Sequence, residues 1–170
     1  MTNNIKLQEV CKQLHIPVVG TTSWPLPIEA REILQESNPC PFTAADIDER
    51  LIGTTDFMPH SAIVCLFPYH VPHEGPTNLS RYTWATDYHL VVTDYLQRLV
   101  DELKTTAPDA SFSIHCDTSP LADRYMAYLA GLGFYGKNKC FINPTWGSYI
   151  VIGTVLTTLE LSLIHISEPT

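Results

Sequence analysis

The chain has no apolar run long enough to cross a bilayer. Cations are scarce: 10 Lys and Arg stand against 18 Asp and Glu, for a formal charge of -8. That balance argues against broad electrostatic binding to nucleic acid, although a local basic patch is compatible with it. Cysteine is thinly spread. Cys11, Cys40, Cys65, Cys116 and Cys140 are odd in number and include no CxxC pair, which argues against a disulfide framework or a zinc ribbon. Reduced thiols packed as small hydrophobes are expected. G-x-S-x-G and P-loop motifs are missing, so α/β-hydrolase chemistry and nucleotide hydrolysis have no support. Seven histidines occur, but none are paired at metal-ligand spacing; His70 and His73 lie on a loop. The N-terminus, MTNNIKLQEVCKQLH, reads as a mixed polar helix rather than a signal peptide, and a cytoplasmic location is expected.

What is present suits one domain with a sizeable core in 170 residues. Helices are expected over 4–14, 28–36, 44–52, 85–104 and 120–131. In the fourth, Tyr88, Val92, Leu96, Leu99 and Leu103 fall on one apolar stripe. Strands are expected over 16–20, 61–69, 111–116, 139–143 and 148–158. SAIVCLFPY at 61–69 is continuously apolar, the pattern of a central strand covered on both faces. Ser119 and Pro120 are the expected N-cap and first residue of the fifth helix. The alternation predicts an α/β (α+β) domain, a mixed β-sheet flanked by helices.

Chemistry-bearing residues concentrate in Asp117–Asn143 and in SRYTWATDYH at Ser80–His89. Gly131, Gly133 and Gly136 fit G-x-G-x-x-G, but the pattern closes a helix and precedes a strand. A dinucleotide fingerprint needs the opposite order, so that reading is rejected. Gly131 or Gly133 can instead end the helix in the left-handed conformation, and Gly136 can admit a ligand close to the backbone. Asp117 lies between a strand end and a helix start. It reads either as a helix-capping carboxylate or as a proton donor, and the sequence alone favours the cap. Arg124 is an anchor for a carboxylate or amide ligand, or a surface cation. His89 is either a satisfied histidine at a helix start or part of a site with Arg81, Tyr82, Trp84 and Tyr88.

Taken together, SRYTWATDYH, DTSPLADR, AGLGFYGKN and GSYIVIGTVLTTLEL resemble the N-terminal part of epoxyqueuosine reductases, in the family's order and spacing. The resemblance is strong over about 80–161, looser over 46–79 and poor over 1–45. It implies a cobalamin-dependent iron–sulfur oxidoreductase that reduces epoxyqueuosine in tRNA to queuosine. It also implies a fold like the cobalamin-binding part of reductive dehalogenases, with the cofactor base-off; D-x-H-x-x-G is missing. Asp117 matches the family's proton donor. Arg81, Tyr88, His89, Arg124, Gly136, Lys137, Asn138, Phe141 and Ile142 match positions that would meet cofactor or substrate. The resemblance thus reverses the preference for a cap at Asp117. The implied partners are tRNA carrying epoxyqueuosine and an external electron donor, with no membrane and a monomeric state.

The tail LSLIHISEPT, 161–170, resembles in full the translation of a common sequencing adapter. The expectation is a cobalamin-binding domain over 1–161 and a non-native tail over 162–170. Two [4Fe-4S] clusters would then belong to a ferredoxin-like segment absent from this sequence, and the chain alone would show no turnover. Other readings open on sequence are a related cobalamin-dependent reductase, a non-catalytic cobalamin module and an orphan α/β domain.

Overall fold

A computed structural model describes residues 2–36, 47–52, 55–72, 75–162 and 165–167. The helices are α1 (Thr2–Gln13), α2 (Glu29–Glu36), α3 (Ile47–Ile52), α4 (Tyr88–Thr106) and α5 (Asp123–Leu129). The strands are β1 (Val18–Ser23), β2 (Ser61–Pro68), β3 (Phe112–Cys116), β4 (Phe134–Tyr135), β5 (Phe141–Ile142), β6 (Ile150–Thr157) and β7 (His165–Ser167). Arg81–Trp84 forms a 3-10 turn.

Five strands make one sheet in the order β3-β6-β2-β1-β7, and β4 and β5 form a separate two-stranded pair. Every pairing is antiparallel, which corrects the expected mixed sheet. The reason lies in the place of β6. β2 and β3 are joined through α4 and point the same way, as in a parallel crossover. β6 enters between them and pairs antiparallel with both. The unit is a split β-α-β arrangement, so strand–helix alternation along the chain produces no parallel neighbours.

β2 is central and covered on both faces, as its apolar run implies. Ala62, Val64 and Leu66 join a core with Leu121, Tyr125, Met126, Ala127, Leu132 and Phe141. Ile63 and Cys65 face the opposite core, with Leu7 and Val10 of α1 and Val92, Leu96 and Leu99 of α4. Gly153 of β6 lets α4 lie close, since a Cβ there would meet Val92 Cγ1 at 2.8 Å and Leu96 Cδ1 at 2.9 Å.

Several boundaries shift for local reasons. α4 begins at Tyr88 rather than 85, because the 3-10 turn precedes it and Asp87 caps it by accepting the His89 N–H at 2.9 Å. α5 begins at Asp123 rather than 120. Its N-cap is Ala122, with no side-chain cap, while the Ser119 hydroxyl accepts the Leu121 N–H within the preceding turn. Of the helix expected over 44–52, residues 47–52 are helical and 44–46 lie outside the described residues. The strand expected over 139–143 shortens to Phe141–Ile142, held against Phe134–Tyr135. Leu161 is buried and its N–H donates to Ser61 Oγ at 2.9 Å, and β7 beyond it pairs with β1.

Candidate active site

Asp117 follows the last residue of β3, and its main chain is unusual. Its φ is +58°, and the Thr118 N–H donates across it to Cys116 O at 2.6 Å. An i to i+2 bond around a residue with positive φ is the rarer, strained form of γ-turn. Asp117 does not cap α5, whose N-cap is Ala122 with no side-chain cap bond. Its Oδ2 instead accepts the Tyr88 hydroxyl at 2.6 Å, and His89 Nε2 lies 3.7 Å from the same oxygen.

The first turn of α4 sets both partners. Asp87 Oδ1 accepts the His89 N–H and also lies 2.9 Å from His89 Nδ1. The Tyr88 and His89 rings stack at 4.0 Å. The bonds to His89 hold the Asp87 carboxyl below its usual range. The Asp117 carboxylate raises the Tyr88 phenol, because losing the phenolic proton would break the bond and place two negative charges together.

Tyr88 and Asp117 line a cavity of about 1570 Å³, together with Tyr69, Tyr82, Asp123 and Arg124. Tyr125, Tyr128 and Tyr135 add a second aromatic wall, with Tyr128 in ring contact with both Tyr125 and Tyr135. Gly136 and Lys139 line the cavity as well. Arg124 is exposed and donates to Lys139 O at 3.3 Å. The lining therefore combines aromatic rings with the carboxyls of Asp117 and Asp123 and the cations Arg124 and Lys139.

Arg81, His89, Lys137, Asn138, Phe141 and Ile142 are not among the residues that line the cavity. Arg81 bonds His70 Nε2 at 2.8 Å and Val71 O at 3.1 Å, and lies over the rings of Trp84 and Tyr149. Lys137 and Asn138 belong to the turn closed by Gly136 N to Cys140 O and Lys139 N to Gly136 O. Asn138 Oδ1 accepts the Cys140 N–H, and Phe141 and Ile142 form β5, with Phe141 buried in the core. Gly131, at φ +74°, ends α5: its N–H donates to Tyr128 O while the Leu132 N–H donates to Ala127 O. That is the paired bonding of a Schellman motif. Gly133 has a different job, since a Cβ there would lie 2.2 Å from Ile142 O.

Asp123 was not singled out from the sequence. Its carboxyl lines the cavity, accepts the buried Thr154 hydroxyl at 3.2 Å and is pushed up to about 7. Burial is the main cause and the charge of Asp117 adds to it; Thr154 and Arg124 act the other way. An acid in the first turn of a helix ordinarily reads as a partner of the helix dipole, which masks such a role. No local pattern marks it, because its burial and its Thr154 partner both come from packing α5 against β6. Among the described residues, no group of three or more His, Cys, Asp or Glu side chains could hold a metal ion. Cys11, Cys65 and Cys116 are buried and Cys140 is exposed, while Cys40 lies outside the described residues.

Comparison with known proteins supports the resemblance read from the sequence. A family model for epoxyqueuosine reductase QueG, DUF1730, matches residues 57–118. The epoxyqueuosine reductase of Synechococcus sp. (strain CC9605) is 41% identical over 91 residues, covering 54% of this chain and 28% of the relative. That of Synechocystis sp. (strain ATCC 27184 / PCC 6803 / Kazusa) is 35% identical over 106 residues, covering 59% and 37%. The chain thus spans about a third of the length of the curated relatives it matches. A solved epoxyqueuosine reductase from Streptococcus thermophilus superposes with a TM-score of 0.80 at 23% identity, over 100% of this chain and 49% of that one. The fold likeness therefore includes the described residues 2–36, where the motif likeness is poor. An epoxyqueuosine reductase solved with a tRNA-Tyr epoxyqueuosine-modified stem loop gives 0.79 at 25% identity, covering 94% and 46%.

Proposed function

We propose that this chain is the N-terminal, cobalamin-binding part of an epoxyqueuosine reductase, which reduces the epoxide of epoxyqueuosine at the tRNA wobble position to the alkene of queuosine. The observation that carries the reading is the meeting of Tyr88, His89 and Asp117 at the edge of a large aromatic cleft, in a chain similar to such enzymes.

The cleft fits a corrin in size and chemistry. The exposed or half-exposed rings of Tyr69, Tyr82, Tyr128 and Tyr135 line the cleft that would take a flat macrocycle. Arg124 and Lys139 offer charged donors to amides or phosphate. Arg81 orders the wall next to Tyr82. Gly136 and Lys139 of the following turn line the cleft, and Lys137, Asn138 and main-chain groups near Phe141–Ile142 are assigned to the cofactor side on the family resemblance. Bound cobalamin would supply a strongly nucleophilic reduced metal centre for attack on the epoxide or electron transfer to it.

Asp117 then gives a proton to the departing oxygen. A flat apolar ligand over the carboxyl would strip it of water and favour its protonated form. Tyr88 orients the carboxyl through its bond to Oδ2, and His89 takes a fixed orientation from Asp87. An enzyme of this kind draws its electrons from two [4Fe-4S] centres. Those centres, and much of the tRNA surface, are assigned to a ferredoxin-like segment outside this sequence. The partners are tRNA carrying epoxyqueuosine and an external electron donor, and the chain acts in the cytoplasm as a monomer without turnover of its own. Residues 1–161 make up the functional domain and 162–170 a non-native tail.

Adding cobalamin to the purified chain tests the reading. The visible spectrum of the cofactor should shift and the melting temperature of the protein should rise, since a ligand that binds only the folded state stabilises it. No change in either at saturating cofactor would overturn the assignment.

A further inference from the structure

We propose that Asp87 is a positioning residue of this site, fixing His89 in the tautomer that carries its proton on Nδ1 and leaves Nε2 bare opposite Asp117. The inference rests on the proton-donor reading of Asp117 and adds Asp87 to it. One oxygen, Asp87 Oδ1, lies 2.9 Å from both the main-chain nitrogen and the ring Nδ1 of His89. The main-chain bond caps α4, and the ring contact goes beyond what a cap needs. Serine caps a helix as well as aspartate does, but it is too short to reach the ring at the same time and carries no charge. An ionised carboxylate can only accept, so Nδ1 donates; the bond made by one ring nitrogen decides which of the two holds the proton. Asp87 keeps its ionised form, because its bonds to His89 hold the carboxyl below the usual range.

Neighbouring rings keep the imidazole in place. Tyr88 stacks on it at 4.0 Å with 27° between the planes, and Tyr82 meets Tyr88 edge to face at 6.0 Å. With Nδ1 committed, Nε2 is the remaining polar atom of the ring, and it lies 3.7 Å from Asp117 Oδ2. That spacing is longer than a hydrogen bond, which suits two acceptors facing each other. The same oxygen takes the Tyr88 hydroxyl at 2.6 Å, so the carboxyl already has a donor. A bare nitrogen at this point repels a carboxylate and accepts from a carboxyl O–H. The other tautomer would set a donor against Asp117 and suit the carboxylate instead. Asp87 therefore selects, through His89, the form of Asp117 that still has a proton to give. Delivery takes that proton from Asp117 to the departing oxygen, and His89 keeps its own on Nδ1.

Long-range proton–nitrogen NMR on the intact chain, labelled with nitrogen-15, reads the tautomer at a pH where the ring is neutral. Wild type should show a protonated Nδ1 and a bare Nε2 at His89. Asp87→Ser keeps a capping hydroxyl for the His89 N–H but loses the carboxylate. Its melting temperature should stay close to that of wild type, while the ring turns to the Nε2–H tautomer that free histidine prefers. A wild-type ring protonated on Nε2, or a tautomer unmoved by Asp87→Ser, overturns the proposal and leaves Asp87 a helix cap. If the variant does not fold, the wild-type spectrum decides alone. Cobalamin in its diamagnetic cobalt(III) state, added to the same samples, separates the inference from the function beneath it. With cofactor bound, Nε2 should move toward the hydrogen-bonded range, and should not move in Asp117→Gly, a residue that suits the positive φ. Bound cofactor with Nε2 unmoved overturns the link to Asp117. A tautomer switched by Asp87→Ser in a chain that binds no cobalamin keeps the positioning role and sinks the cofactor assignment.

Discussion

Asp117 and Asp123 show how far two aspartates six positions apart can diverge. One caps nothing and sits in a strained turn; the other is drawn under the surface by α5. Asp123 also carries a consequence for stability. Its folded-state affinity for a proton exceeds that of the unfolded chain, so between about pH 4 and 7 the native state binds more protons than the unfolded one. The contribution of this residue is present at the acid end of that window and is lost as pH rises through about 7. Asp123→Asn removes the dependence. Denaturant unfolding should show wild type losing ground to the variant as pH climbs, by up to roughly 4 kcal/mol across the window. Parallel curves for the two proteins would contradict the buried-acid assignment. At this scale the sequence was partly legible. Asp117, Tyr88 and His89 could be picked out as a block, and they do meet. Asp123 could not, because its role comes from Thr154, 31 residues on, and from burial that only the packed sheet creates.

At the level of elements, the glycines of 131–136 illustrate how one motif hides separate jobs. Gly131 is required by its positive φ, while Gly133 is required by space. Gly133→Ala would drive a methyl into Ile142 O and push β4 from β5. A loss of about 1–3 kcal/mol is expected, the usual cost of overpacking. Gly147 is the control. It has positive φ but open space around it, so Gly147→Ala should cost about 1–2 kcal/mol through the backbone alone and leave the β4–β5 pair intact. Chemical denaturation gives the two energies, and amide exchange at Phe134–Ile142 tells the mechanisms apart. Helix cores and the long strands were legible because their periodicity is strong. The start of α5 was not: Ser-Pro is a good helix opening, but this stretch is spent on turns, and the Ala122 N–H is taken by Arg50 O at 3.2 Å.

For the whole molecule, antiparallel order depends on β6, a strand far along the chain that completes the sheet between β3 and β2. No local pattern announces such an insertion, so the strands were legible and their order was not. The same long-range closure defines where the domain needs its chain. Leu161 is packed and its amide is held by Ser61. Beyond it, β7 adds three register positions to β1, and Ser162 O accepts the Thr21 hydroxyl at 2.6 Å. Ending the chain after Leu161 should preserve a cooperative thermal melt with the edge pairing lost. Failure to fold would make 162–170 part of the domain and overturn its assignment as a non-native tail.

The cleft wall is uneven in what it costs to move. Behind Asp117 lie packed strand and helix, whereas Asp117 is held by a strained main chain and one phenol. Cys116 is buried and paired with Gly153 of β6, so Asp117 and Thr118 are the part of this turn that lies outside the sheet. The candidate acid is thus carried by main chain that the β3–β6 ladder does not hold, one step beyond its last register position.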